Sequence, residues 1–296
     1  QQLLTGLDER QWGDLTYGTM SSDGQRVFGV EDVGFTFGLL NQRIVVAPDG
    51  SRRLDPGWPR DFNRLTAYDV TTGKLTWEIG GPPGPLQLAL AGTYFLGPRL
   101  PQADQLYVVG EIKDSVYLFS LDRATGATKS QQLLSSLEND PNTRIQIYNG
   151  LLPQREPRRM SGASPSYSEG ILVCPVAGDK FVAVDLGSGD IRWTFQPEQV
   201  VARRYPFLGI RTNNNSNDHR HRRWVDGCAS LAGGRALLTP QGQDSLYCLD
   251  LQSGKLHWSA PRLDSQYLAT AHGLDAAADG LDPGAGVRLV GRVSVR

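Results

Sequence analysis

The sequence predicts an all-β fold built from repeats of a four-stranded antiparallel sheet. Three observations carry the prediction. The stretch Leu65–Trp77, LTAYDVTTGKLTW, alternates on both sides of an Asp-to-Gly turn, which is a β-hairpin signal. The spacing Asp, three residues, Gly, three residues, Trp then recurs as Asp69, Gly73, Trp77, as Asp185, Gly189, Trp193, and as Asp250, Gly254, Trp258. A fourth copy, Asp122 and Gly126, has Ser130 in place of Trp. One hairpin in four copies means a repeat architecture.

Taken in order, residues 1–15 read as a linker or the end of a preceding segment, with Leu3, Leu4, Leu7 and Trp12 as its apolar residues. Thr16 to Ser21 reads as a short strand, Ser22-Asp23-Gly24 as a turn and Arg26 to Glu31 as a second strand. Residues 32–63 are too long and too rich in Gly, Pro, Asp and Arg for a hairpin loop, so they are an insertion. The Leu65–Trp77 hairpin completes the first unit, about 16–80. In it Leu65, Ala67 and Asp69 share one face and Thr66, Tyr68 and Val70 the other. The Asp69 side chain can accept from amides of its own turn, and Gly73 can take the positive φ of a bulged turn.

The second unit, about 86–131, has strands at Gly92–Leu96, Gln105–Ile112 and Ser115–Leu121, then a weak fourth after the Asp122–Gly126 turn. Residues 131–147, with Leu133, Leu134 and Leu137, read as a short helix over that sheet. The third unit, about 160–196, has strands at Ser164–Ser168, Ile171–Val176, Phe181–Asp185 and Ile191–Phe195. A second insertion, 198–223, follows. The fourth unit, about 224–260, has strands at Gly227–Ser230, Arg235–Thr239, Ser245–Asp250 and Lys255–Ser259. A partial fifth, 265–296, has Tyr267–Ala271 and Val287–Gly291. Four strands in two hairpins make one propeller blade, so the expected architecture is an incomplete β-propeller of about four blades plus part of a fifth, a fragment of a seven- or eight-bladed ring.

Composition narrows the function classes. A chain of 296 residues with 39% hydrophobic and 21% charged residues has the make-up of a globular protein. A net charge of −1 lacks the basic excess of a general nucleic-acid binder. No run of about 18 apolar residues is present, so no membrane-spanning segment is expected. The chain starts Gln1-Gln2, which suggests a processed or cut fragment, a monomer or part of a larger chain. The three cysteines, Cys174, Cys228 and Cys248, lie in apolar strand-like runs and read as buried thiols, with a Cys228–Cys248 bridge as the other possibility.

The segments AYDVTTGKLTW, AVDLGSGDIRW and CLDLQSGKLHW resemble the tryptophan-docking repeats of quinoprotein dehydrogenase-type propellers, the PQQ-like repeat family. The resemblance implies that each motif lies across the third and outermost strands of a blade. It also implies that Trp77, Trp193 and Trp258 dock between neighbouring blades, with the Ser130 unit the loosest junction. Relatives include an outer-membrane assembly lipoprotein that docks on a barrel-insertion machine, and propeller domains of large extracytoplasmic bacterial proteins. The implied reading is a non-catalytic scaffold for a protein partner, placed in the periplasm or cell envelope.

Two other readings stay open. An oxidoreductase of alcohol or sugar dehydrogenase type would bind pyrroloquinoline quinone (PQQ) and Ca²⁺, with part of its site in missing blades. Against it, the adjacent cysteine pair of the family's methanol-oxidising members is absent, so no cofactor is expected. A small-anion or carbohydrate-binding propeller would use Arg155, Arg158, Arg159, Arg203 and Arg204, whose forked donors suit carboxylate or phosphate; the plainer reading is surface charge. Asp218, His219 and His221 could ligate a metal, but Arg220, Arg222 and Arg223 beside them oppose a cation, and no metal is expected. His257, next to Trp258 in a strand, reads as pointing to solvent or a blade seam. No Ser-His-Asp motif, phosphate loop or zincin helix occurs.

Overall fold

A computed structural model describes residues 15–31, 43–46, 52–55, 62–113, 115–136, 162–176, 179–198, 228–240, 243–261, 265–270 and 287–291. The fold class is all-β with propeller-type blades, and the chain divides into two compact units, Gln1–Pro165 and Ser166–Arg296.

In the first unit, α1 is a single helical turn (Leu15–Gly18). The first blade orders its strands β1-β2-β5-β6: β1 (Ser21–Ser22), β2 (Arg26–Glu31), β5 (Arg64–Asp69) and β6 (Leu75–Gly80), antiparallel throughout. Between β2 and β5, the strands β3 (Arg43–Val46) and β4 (Arg52–Asp55) pair only with each other, so part of the expected insertion is a separate hairpin. The second blade orders β11-β10-β9-β7, from β7 (Tyr94–Phe95), β9 (Gln105–Ile112), β10 (Ser115–Asp122) and β11 (Thr128–Ser136). A further strand, β8 (Leu100–Gln102), pairs with the same edge of β9 as β7 does, further along it. The innermost strand of this blade is therefore broken in two.

In the second unit, β12 (Ser166–Ser168), β13 (Ile171–Pro175), β14 (Phe181–Asp185) and β15 (Ile191–Phe195) form one blade in chain order. A second blade follows: β16 (Ala229–Ala232), β17 (Arg235–Leu238), β18 (Ser245–Asp250) and β19 (Leu256–Pro261), again in chain order. Finally β20 (Ser265–Thr270) pairs with β21 (Val287–Gly291).

Among the described residues, each unit has a buried core where two successive blades face each other. Phe28, Val30, Leu65, Ala67, Trp77 and Ile79 meet Phe95, Leu106, Val108, Phe119 and Leu121 in the first. Ile171, Val173, Phe181, Ala183 and Trp193 meet Ala229, Ala236, Leu238, Leu249 and Leu251 in the second. These sets come from alternate strand positions, as the period-2 pleat requires.

Three expectations are corrected. The strand expected from Thr16 to Ser21 is the α1 turn followed by the two-residue β1; Thr16 instead tucks its hydroxyl against the Leu96 carbonyl, donating at 2.8 Å. The helix expected from 131 to 147 begins as β-structure: Gln131–Ser136 belong to β11, which pairs along nearly the whole of β10. Leu134 is buried while Leu133 is exposed, the alternation of a strand rather than a helical stripe. The rest of that segment, 137–147, lies outside the described residues. The weak fourth strand of the second unit is therefore nine residues long. No disulfide joins Cys174, Cys228 and Cys248; Cys174 and Cys248 are buried, and burial pushes the Cys174 thiol far above its ordinary range.

Candidate functional site

The four turns share one local design. In each, the Asp amide donates across the turn and the Gly amide donates back to the Asp carbonyl: Gly73 to Asp69, Gly126 to Asp122, Gly189 to Asp185 and Gly254 to Asp250, at 2.8–2.9 Å. The Asp carboxylate accepts from the amide three residues on in all four and also from the amide two on in three of them, for example Thr71 at 3.1 Å and Thr72 at 2.7 Å for Asp69. The residue before each Gly carries a hydroxyl: Thr72, Thr125, Ser188 and Ser253. Three of these donate to their Asp, at 2.8, 2.9 and 2.7 Å for Thr72, Thr125 and Ser253. All four hydroxyls accept from the amide two residues on, Ser188 from Asp190 at 3.2 Å.

Bonds to the ionised form hold all four carboxyls below their ordinary pKa of 3.8. The leading donors are the Thr72 amide for Asp69, the Thr125 hydroxyl for Asp122, the Ser188 amide for Asp185 and the Ser253 hydroxyl for Asp250. The residue before the Trp position adds a cation in two blades and an imidazole in a third. Lys129, Arg192 and His257 stand 3.4, 3.9 and 4.0 Å from Asp122, Asp185 and Asp250. Arg235 also reaches both His257 and Asp250, so the partly exposed His257 belongs to its own blade's turn.

Beside every Trp position the third and fourth strands carry a bulge, at Ala67/Tyr68, Ser120/Leu121, Ala183/Val184 and Cys248/Leu249. A bulge re-aims the side chain next to it. Trp77 is 8% exposed and donates its indole N–H to the carbonyl of Arg123 at 3.2 Å, in the turn of the next blade. Trp193, also 8% exposed, donates to Leu251 at 2.8 Å, the equivalent position of its next blade. Both acceptors directly follow the turn Asp.

The rings lie on the turn glycines. A Cβ on Gly126 would stand 2.7 Å from the Trp77 ring, and one on Gly254 would stand 2.5 Å from Trp193. A Cβ on Gly73 or Gly189 would meet nothing within 4 Å among the described residues. Trp258 is half-buried, and its sequestered indole N–H finds no acceptor among the described residues. Ser130 pairs with Ser120 across β10 and β11.

A second tie joins the blades of the first unit. The Arg123 guanidinium meets the Asp23 carboxylate at 3.0 Å; Arg26 meets it at 3.4 Å; and the Asp23 side chain is 1% exposed. Burial pushes the Asp23 carboxyl up, but amides of Arg26 and Gln25 and the charges of Arg123 and Arg26 outweigh it and leave the pKa lowered. Sequence reasoning missed this tie and the turn hydroxyls. The hydroxyls had a visible signal, Thr or Ser before each of four glycines; the Asp23–Arg123 pair had none.

Arg155, Arg158, Arg159, Arg203, Arg204, Asp218, His219 and His221 lie outside the described residues. Among the described residues, no three His, Cys, Asp or Glu side chains gather as a metal would require. No described helix is long and apolar enough to cross a membrane.

No family model matches the chain, and no curated protein does. Among solved structures, BamB from Moraxella catarrhalis is similar at 18% identity and a TM-score of 0.38, over 70% of this chain and 47% of that one. A europium-containing methanol dehydrogenase is similar at 12% identity and a TM-score of 0.45, over 83% of this chain and 41% of that one. The chain thus spans less than half the length of either structure. Asp–Gly turns close all four four-stranded meanders, and a Trp follows the turn in three of them.

Proposed function

We propose that the chain is a non-catalytic binding module, a propeller scaffold that presents blade edges to a protein partner outside the cytoplasm. The carrying observation is on the outermost strands. Each of β6, β15 and β19 is the free edge of its sheet and bears an exposed aliphatic residue two positions before its Trp: Leu75, Ile191 and Leu256, at 47%, 43% and 46% exposure. Such an edge offers unpaired backbone groups and apolar surface together, the requirements for adding a partner's strand. The blades' recurring carboxylates, by contrast, are spent on their own turns.

The test is capture of envelope proteins by the chain, with contact sites mapped by cross-linking. Leu75→Glu, Ile191→Glu and Leu256→Glu should together abolish a cross-link that maps to these strands. Capture unaffected by the triple variant would overturn the edge reading. Titration with PQQ and Ca²⁺ addresses the oxidoreductase alternative: saturable quenching of Trp fluorescence together with dye-linked alcohol oxidation would replace the scaffold reading.

A further inference from the structure

The first unit buries a cation that no described residue neutralises. Arg99 is 2% exposed, and its only hydrogen bond among the described residues is a long one, 3.4 Å from Nη1 to the Phe28 carbonyl. Its Nε and Nη2 are sealed from solvent without a partner. Arg26 and Arg64 also have an idle Nε, but each pairs with a carboxylate through another nitrogen, Asp23 and Glu78 respectively. Arg99 has no carboxylate at all among the described residues. A desolvated guanidinium without a counter-charge is among the most costly groups a protein can bury.

The surroundings are organised around this side chain. Arg99 lies in the break between β7 and β8, after Gly97 and Pro98. Gly97 is pressed so closely on the backbone of Gly162 and Ala163 that an added Cβ would fall 2.4 Å away, which fixes the path of the segment. β8 lies against β1 of the preceding blade. Phe28, whose carbonyl Arg99 reaches, is the register partner of Ser21 on β1. The Ser21 hydroxyl is a second sealed oxygen with no partner. The break in the inner strand thus brings two unsatisfied donor groups, one charged and one neutral, to the same register position of the blade seam. Asp23, the acid nearest Ser21 in the chain, is engaged by Arg26, Arg123 and two amides.

We propose that Arg99, with Ser21, binds a small oxyanion of the phosphate or carboxylate class inside the seam between the first two blades. The forked Nε and Nη2 donors suit two oxygens of one anion, and a hydroxyl suits a third. Burial lowers the Arg99 pKa to about 9, which still leaves it cationic at neutral pH. Because the donors are sealed, the anion enters by local opening of β8, a three-residue strand that lies off the main path of its sheet. Binding is therefore slow and linked to stability. The proposal is independent of the scaffold reading, which uses other strands.

The test is thermal melting of the 296-residue chain in rising sodium phosphate or sodium acetate, with chloride holding ionic strength constant. Oxyanions excluded from protein surfaces raise melting temperatures generally, without saturating, so the readout is the difference between wild type and variant. The wild type should gain a saturable rise that Arg99→Met lacks; Ser21→Ala should keep part of it. Phosphate alone or acetate alone producing the rise identifies the anion class. An equal rise in Arg99→Met, or no saturable rise in the wild type with either anion, overturns the proposal. Should Arg99→Met not fold, Arg99→Lys decides: it keeps the charge and loses the fork, so an undiminished response would count against the site.

Discussion

The turns at Gly126 and Gly73 have the same sequence logic, the same backbone hydrogen bonds and nearly the same φ, +73° and +65°. They differ in what lies on them. Gly126 carries the indole of Trp77, while a Cβ on Gly73 would meet no described atom within 4 Å. The second unit repeats the contrast, with Trp193 on Gly254 and no ring of the described residues where a Cβ on Gly189 would stand. A motif that reads as one local signal therefore does two jobs. Every copy shapes its own hairpin, but only some copies also serve as the seat for a neighbour's ring. The glycine is required for conformation in all four turns and for close approach in two.

The largest expected effects lie on the rings. Trp77→Ala and Trp193→Ala should each lower unfolding free energy by about 3–5 kcal/mol, because each ring is buried and bonded between two sheets. Trp258→Ala should lower it by about 1–2 kcal/mol, since that ring is half-buried and unbonded. Urea unfolding of the three variants measures this, and equal losses would erase the distinction.

Next come the seats. Gly126→Ala and Gly254→Ala should lose about 3 kcal/mol, from the left-handed φ plus overpacking against the ring. Gly73→Ala and Gly189→Ala carry only the backbone strain, about 1–2 kcal/mol. A Gly73→Ala loss matching that of Gly126→Ala would show that the ring contributes nothing to the requirement. Smaller still, Thr72→Ala, Thr125→Ala and Ser253→Ala should each lower the unfolding free energy by about 1 kcal/mol or less, seen as a slightly lower urea midpoint.

The smallest effect is common to all four turns. The Asp69, Asp122, Asp185 and Asp250 carboxyls have folded pKa values below the ordinary 3.8. The unfolded chain therefore takes up protons first, and the stability these groups contribute is present above about pH 4 and lost as pH falls through their folded values. Melting temperature followed from pH 6 to pH 3 should decline, and the Asp→Asn variants should flatten the decline.

Much of the sheet was legible because alternation and turn residues agree. β2, β9, β14, β15, β18 and β21 span the residues that the pattern predicts. β8 was not legible because Pro98 and Pro101 interrupt its run, and a proline demotes a strand to an edge, which is where β8 lies. β11 was misread beyond Ser130 because Leu133 and Leu134 are adjacent, and only the ladder with β10 decides which of them is buried. The Asp–Gly–Trp spacing was legible, but which glycine receives which ring depends on blade order. Arg99 left no trace in the sequence; a single arginine after Gly-Pro gives no sign that its guanidinium will be enclosed.

Both indoles that find an acceptor reach forward along the chain, Trp77 by 46 residues and Trp193 by 58. On a ribosome, the hairpin that carries each ring emerges well before the carbonyl that will hold it. At synthesis rates of about 5–20 residues per second, Trp77 waits roughly 2–9 s and Trp193 roughly 3–12 s. Over that interval each nascent sheet exposes its largest apolar group to water and to other chains, so slowed translation through residues 78–123 or 194–251 should lengthen the period in which a chaperone can bind.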